Sequence, residues 1–298
     1  MRRIVIVLMA LFAMSFHCQK SFCQECVLSA GDEKVAREVM RDIHEADLKA
    51  GSGLTLSQMM VMAAEALVGT PYVAGTLDED PVEEKLRIYL TKTDCILFVE
   101  TCLALAKTVD DAGESEPELE DFINNVARMR YRTDPPFSYG DRVHYTTEWV
   151  RRMEGTVLHD MTLELGGEVY DHPVYFMSSH PESYKQLAEA DDIPRAALNL
   201  LKIREVEEEL NRSPMTYIPK TKLSQASGQI KSGDIICFST TIGGLDISHV
   251  GIAYVKDGVA GFIHASQKDG KVEIDSRTIE EYVRSRSNLS GIKVIRPL

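Results

Sequence analysis

Beyond its first 23 residues the chain has no apolar run long enough to cross a bilayer, which takes about 20 residues. Proline (11) and glycine (19) are too few for a collagen-like, low-complexity or mostly disordered chain, and neither internal repeats nor a polar linker occur. Cysteine is sparse and scattered. The four that follow residue 23, at positions 26, 95, 102 and 237, form no C-x-x-C pair, so neither a disulfide framework nor a cysteine zinc site is written. His-Glu-x-x-His is also missing; His44-Glu45 has no histidine four residues on. Positive charge is in short supply, with 33 Lys and Arg against 46 Asp and Glu, a net charge of −13. Such a surface repels phosphates, which excludes nucleic acid as a partner.

What is present begins with a leader. Arg2 and Arg3 precede an apolar run from Ile4 to Phe16, too short for a comfortable membrane anchor, and Ser21-Phe22-Cys23 offers a cleavage site before Gln24. Residues 1–23 are therefore expected to be a signal peptide on an exported protein of the periplasm or outer cell surface. Cys18 is the one position for a lipid tether. Cleavage removes Arg2, Arg3 and Lys20, leaving 30 cations against 46 acids, or −16. An oxidising destination makes any cysteine kept reduced noteworthy.

The full chain is 44% hydrophobic, and residues 24–298 suffice for one large core. Apolar residues at three- and four-residue spacing predict helices over 32–50, 56–67 and 94–109. Further helices are expected over 116–130 (capped by Ser115, with Pro117 in its first turn), 147–153 and 194–210. The last quarter changes to short β-branched and aromatic runs over 233–240, 248–255, 259–265, 271–274 and 292–295, bounded by Gly, Asp or Lys turns. Helices first and strands last predict an α+β fold with an antiparallel sheet.

Thr93-Asp94 is a capping pair in front of an apolar helix, which puts Cys95 in the first turn. Orphan amides and the helix dipole favour a thiolate there. Cys102, two turns further along among Leu and Ala, and Cys237, in the middle of a strand, read as core. A thiolate nucleophile needs a base and a group to orient it. Lys256-Asp257-Gly258-Val259 contains a two-residue hairpin turn. Pairing Lys256 with Val259 puts Gly251 opposite His264, and His249 becomes the same-face diagonal neighbour of His264. Cys95, His249 and His264 thus form a candidate Cys–His–His constellation. A zinc hydrolase built from His144, His159 and His172 is the metal-dependent alternative, although their spacing matches no ligand motif.

Five pieces of the chain, in order, resemble the NlpC-type papain-like cysteine hydrolases of bacterial cell walls. They are Gly69-Thr70-Pro71-Tyr72, Asp94-Cys95, Gly233-Asp234-Ile235, Ser248-His249-Val250-Gly251-Ile252 and Phe262-Ile263-His264-Ala265. Within that superfamily the chain looks most like the N-acetylmuramoyl-L-alanine amidase-like branch with a long insertion, here about 111–228. The resemblance implies a papain-like core with N-terminal helices, a nucleophile at a helix N-terminus packed on an antiparallel sheet, and a mostly helical insertion. It implies no metal or cofactor, and hydrolysis of an amide in peptidoglycan or muropeptide fragments. By position Cys95 is the nucleophile, His249 the base and His264 its orienter, while Tyr72 and Asp94 serve the oxyanion or substrate. From the insertion, Tyr139, Tyr145 and Trp149 would stack on a sugar, and Arg142 or Arg151 would clamp a carboxylate. The alternatives are a stem-peptide endopeptidase cutting between D-Glu and the diamino acid, and a non-catalytic wall-binding module. Endopeptidases of the superfamily commonly carry Ser after Asp-Cys to receive a free amine; here the residue is Ile96.

Overall fold

The computed structural model describes residues 26–78, 84–188 and 193–298; the expected signal peptide at 1–23 lies outside them. Four helices dominate the first part: α1 (Ala30–Lys49), α2 (Leu56–Ala66), α3 (Cys95–Ala112) and α4 (Leu119–Arg130). The two-residue strand β1 (Cys26–Val27), ahead of α1, pairs with β2 (Leu86–Arg87), between α2 and α3. The middle holds α5 (Thr146–Met153), β3 (Leu158–Asp160), β4 (Glu168–Tyr170), α6 (Phe176–Ser179), α7 (Lys185–Ala188), α8 (Ile193–Asn211), β5 (Met215–Pro219) and α9 (Leu223–Ala226). The last quarter is β6 (Ile235–Thr240), β7 (Ile247–Lys256), β8 (Val259–Ser266), β9 (Lys271–Ile274), α10 (Ile279–Arg284) and β10 (Leu289–Pro297). The class is α+β with an antiparallel sheet. Among the described residues no helix is long and apolar enough to cross a membrane.

The main sheet runs β4-β5-β10-β6-β7-β8-β9, with β3 also on β10, and every pairing is antiparallel. Strands β3, β4 and β5 were not expected. The first two are only three residues long, too short for a period to register, and β5 ends in Pro219. They attach the middle segment to the same sheet through β10. Helix α4 also starts later than expected. Its N-cap is Glu118, and the Ser115 amide instead closes a turn on Ala112 O. Proline drives the residue before it out of the helical region, so the helix can begin only beyond Glu116-Pro117.

Local signals fix the front helices. Ser29 caps α1 by accepting from the Asp32 amide at 3.1 Å, and Thr55 with Gln58 forms a capping box on α2. The buried Asp32 carboxylate then accepts the amides of Leu90 and Thr91, both at 2.8 Å, tying α1 to the segment that leads into α3. Helix α3 is apolar on nearly every side. Phe98, Leu103 and Leu105 are fully buried between α1, α2 and α4 on one side and β7 and β8 on the other. A helix apolar all round belongs in a core, and each large side chain buried there contributes roughly 1.5–3 kcal/mol. The charge it buries is Glu100, joined to Arg130 of α4, whose Nε donates to Glu100 Oε1 at 2.9 Å.

Candidate active site

Cys95 is the first residue of α3, and Asp94 is its N-cap, accepting from the Leu97 amide at 3.0 Å. The loop before it is braced by a short bridge. Val73 N–H donates to Thr93 O at 2.8 Å, Thr93 N–H to Pro71 O at 2.9 Å, and Tyr72 N–H to Gly270 O at 2.9 Å. Tyr72 is thereby held beside the thiol. The amides of Val250, Ile96 and Cys95 itself favour a thiolate. Burial and then the Asp94 carboxylate outweigh them, and the thiol is pushed up to about 12. The activation expected from the helix start is present in direction only; at rest Cys95 keeps its proton. Burial, then the charges of Cys95 and Asp94, likewise raise Tyr72 to about 12, so its hydroxyl remains a donor. Cys95, Cys102 and Cys237 form no disulfide.

The hairpin carrying the histidines has the expected register. Asp257 and Gly258 have φ of +52° and +76°, and pairing runs from Lys256↔Val259 to Ile252↔Ile263. His249 Nε2 lies 2.7 Å from His264 Nδ1, with the rings edge to face. Phe238, Phe262 and Tyr282 close around them. Gly251 makes the approach possible, since a Cβ there would sit 2.8 Å from the Phe262 ring and 3.2 Å from His264 Cβ.

Behind His264 stands a group the sequence analysis missed. Asp275 Oδ2 lies 3.3 Å from His264 Nε2, at ion-pair distance but outside hydrogen-bond alignment. Arg277 grips Asp275 from the other side, donating from Nε at 2.9 Å and from Nη2 at 2.6 Å. These bonds hold the Asp275 carboxyl below its ordinary value despite burial, so it is an anion. An anion at Nε2 puts the His264 proton there, and Nδ1 then accepts from His249 Nε2–H. That leaves His249 Nδ1 with a lone pair, the form a base needs. Burial first, then His264, pushes His249 down to about 3, and burial pushes His264 to about 4. The resting site is a neutral thiol and two neutral imidazoles. The signal for Asp275 was the second hairpin. Lys268-Asp269-Gly270-Lys271 turns β8 into β9, His264 pairs with Glu273, and Asp275 follows two residues on, on the same side.

His264, Glu273 and Asp275 also bring three ligand atoms within 4.8 Å, the only such set among the described residues. With His264 Nδ1 given to His249 and Asp275 gripped by Arg277, the set serves the histidines better than a cation. The zinc alternative is not assembled. His144 bonds Tyr139 O, His159 lies between Glu154 and Glu164, and His172 bonds Ile242 O and Leu245 O.

The insertion residues lie elsewhere than expected. Tyr139, Tyr145 and Trp149 are only 3%, 2% and 3% exposed and present no face to a sugar. Tyr145 donates to Glu207 at 2.6 Å, and Tyr139 lies under the Arg142 guanidinium. Arg142 is buried against Asp78 and Glu84. Arg151 donates to the carbonyls of Leu210 and Ser213 at the end of α8. These groups stabilise the middle segment. A cavity of about 490 Å³ opens instead beside His249 and His264.

Residues 62–292 match the AmiA-like family model, described as N-acetylmuramoyl-L-alanine amidase-like. An N-acetylmuramoyl-L-alanine amidase from Bacteroides uniformis is 30% identical, covering 82% of this chain and 99% of its own, with a TM-score of 0.71. A Bacteroides fragilis protein provisionally named a xylanase is 34% identical over 78% of this chain and 99% of its own, with a TM-score of 0.68. A Legionella pneumophila protein at 23% identity shares the fold over 91% of this chain and 97% of its own, with a TM-score of 0.63. No curated protein matches the chain.

Proposed function

As a chain that belongs to the N-acetylmuramoyl-L-alanine amidase-like family, this protein is, we propose, a cysteine-dependent cell-wall amidase with a papain-like core. Its substrate is the amide joining N-acetylmuramic acid to L-Ala in peptidoglycan fragments. The observation that carries the mechanism is the 2.7 Å His249–His264 bond on the strand whose Val250 amide meets the Cys95 thiol. Residues 1–23 support export to the periplasm or outer surface.

The chemistry follows from the resting protonation. His249 Nδ1 takes the thiol proton as Cys95 Sγ adds to the lactyl carbonyl carbon. The Cys95 amide and the Tyr72 hydroxyl, kept protonated, stabilise the oxyanion, each contributing about 2.7–4 kcal/mol in comparable sites. The C–N bond then breaks, and His249 returns the proton to the departing L-Ala amine. Water attacks the thioester carbonyl, giving a proton to His249. The lactyl carboxylate leaves, and the thiol is restored. His264, held by Asp275, fixes the base in its useful tautomer.

Two features favour this bond over a stem-peptide endopeptidase cut. Ile96 puts an apolar side chain where an amine-binding serine would stand, in a small recess it shares with Leu77, Val143 and Trp149; the carboxylate of that recess, Glu100, is already paired with Arg130. Burial raises the Asp94 carboxyl, and its Oδ1 is engaged with Leu97, which suits it poorly to receive an ammonium. Mass spectrometry of defined muropeptides incubated with wild type and Cys95→Ala tests the assignment. Release of a peptide with a free L-Ala amine, together with a peptide-free sugar, is expected from wild type alone. Cleavage inside the stem overturns the substrate assignment. No Cys95-dependent product overturns catalysis and favours a wall-binding module.

A further inference from the structure

Resting on that reading, we propose that Arg286 anchors an anion subsite that holds the free α-carboxylate of D-Glu, the second stem residue, while the first amide is cut. D-Glu continues the stem through its side-chain carboxyl, so its α-carboxylate is available. The cavity of about 490 Å³ beside His249 and His264 is walled by Ser248, Gln267, Lys268, Tyr282 and Arg286 among others, with no Asp or Glu in its lining. In a chain with 46 acids against 33 cations, a cavity lined by two cations and no carboxylate runs against the overall charge.

Arg286 also differs from the arginines already described. Arg142, Arg151 and Arg277 are each taken by carboxylates or carbonyls. Arg286 has no ion-pair partner among the described residues, and its Nε is buried without an acceptor. Its guanidinium is fixed by stacking on Tyr282, 4.3 Å from the ring centroid. Its charge adds to burial in lowering both histidines, which places it close to them. Tyr282 in turn lies 6.0 Å from the His249 ring, so the cation stands no more than about 10 Å from the base. A stem extending roughly 3.3–3.6 Å per residue carries the D-Glu carboxylate into that range from an amide poised at the thiol.

The test compares N-acetylmuramoyl-L-Ala-D-Glu capped at its γ-carboxyl as a methylamide, as the stem caps it, with the same compound carrying an α-amide (the D-isoglutamine form), so that only the α-charge is removed. Wild type is expected to favour the acid in kcat/KM by on the order of tenfold or more, as a charged hydrogen bond implies. Arg286→Gln should bring the ratio to about 1, and Arg286→Lys should retain part of the preference. Equal cleavage of acid and amide by wild type overturns the subsite, whatever the variants do. So does an Arg286→Gln protein that still prefers the acid. Cleavage of neither compound overturns the amidase reading itself and takes the subsite with it.

Discussion

His249 Nε2 and His264 Nδ1 lie 2.7 Å apart, and the side-chain gap at Gly251 is what lets them meet. Rings so joined cannot settle their protons independently. Asp275 fixes one end, and the lone pair at the other end falls on His249 Nδ1. The proposed base, His249, thus takes its tautomer from a carboxylate two side chains away.

Replacing Cys95 by Ala should abolish turnover, a loss of at least about three orders of magnitude for a covalent nucleophile. The variant should bind muropeptide and unfold at the wild-type urea midpoint or above it, because a buried polar group is removed. Wild-type turnover by Cys95→Ala sinks the mechanism.

Asp275→Asn should lower kcat by roughly 10–100-fold with little change in KM, as for the supporting partner of a functional histidine. Removing the carboxylate also removes what raises the His264 pKa, so His264 protonation should move to lower pH. NMR titration of the imidazole resonances separates this from a loss of folding.

Gly251→Ala puts a methyl group against the Phe262 ring, the Ile263 carbonyl and His264 Cβ. Overpacking of this kind costs about 1–3 kcal/mol. Activity should fall further than stability, since the displaced residue is His264; urea midpoints and kcat measured together give the comparison.

His249 is held at about 3 in the fold against an ordinary value of 6.5, so the unfolded chain takes the proton first. Its contribution to stability is complete above pH 6.5 and is lost as pH falls from there towards 3. The slope is about 1.4 kcal/mol per pH unit per buried neutral histidine. Urea unfolding at pH 7 and pH 5 should show a smaller acid loss in His249→Gln than in wild type.

Arg130→Met leaves Glu100 buried and unpaired in the middle of α3. Breaking one side of such a pair costs about 3–5 kcal/mol, which thermal unfolding at neutral pH should register. The double variant with Glu100→Leu should recover most of it.

Much of this was legible in the residues. The Asp257-Gly258 turn sets the register that aligns His249 with His264, and Asp94 marks the start of α3, because both are local signals of backbone geometry. What was not legible depends on long-range burial. Tyr139, Tyr145, Trp149 and Arg142 have the chemistry of a sugar and carboxylate site, and only packing shows them enclosed. The Cys95 thiol sits where a helix dipole favours its anion, yet enclosure and Asp94 decide otherwise. Asp275 was within reach had the pairing been carried one strand further. Arg286, which lines the cavity beside the histidines without an ion-pair partner among the described residues, lies outside the insertion where Arg142 and Arg151 were expected to clamp a carboxylate.

Strand β10 lies between β5 and β6, two strands made before it. A growing chain can therefore finish its helices and the β7–β8 hairpin while the sheet still has an open seam between its halves. The two halves cannot be joined until residues 289–297 are available to zip them. Contacts so distant in sequence form slowly. Helix α3 packs on β7 and β8 directly, so the half that carries Cys95, His249 and His264 does not wait on β10, whereas its union with β4 and β5 does.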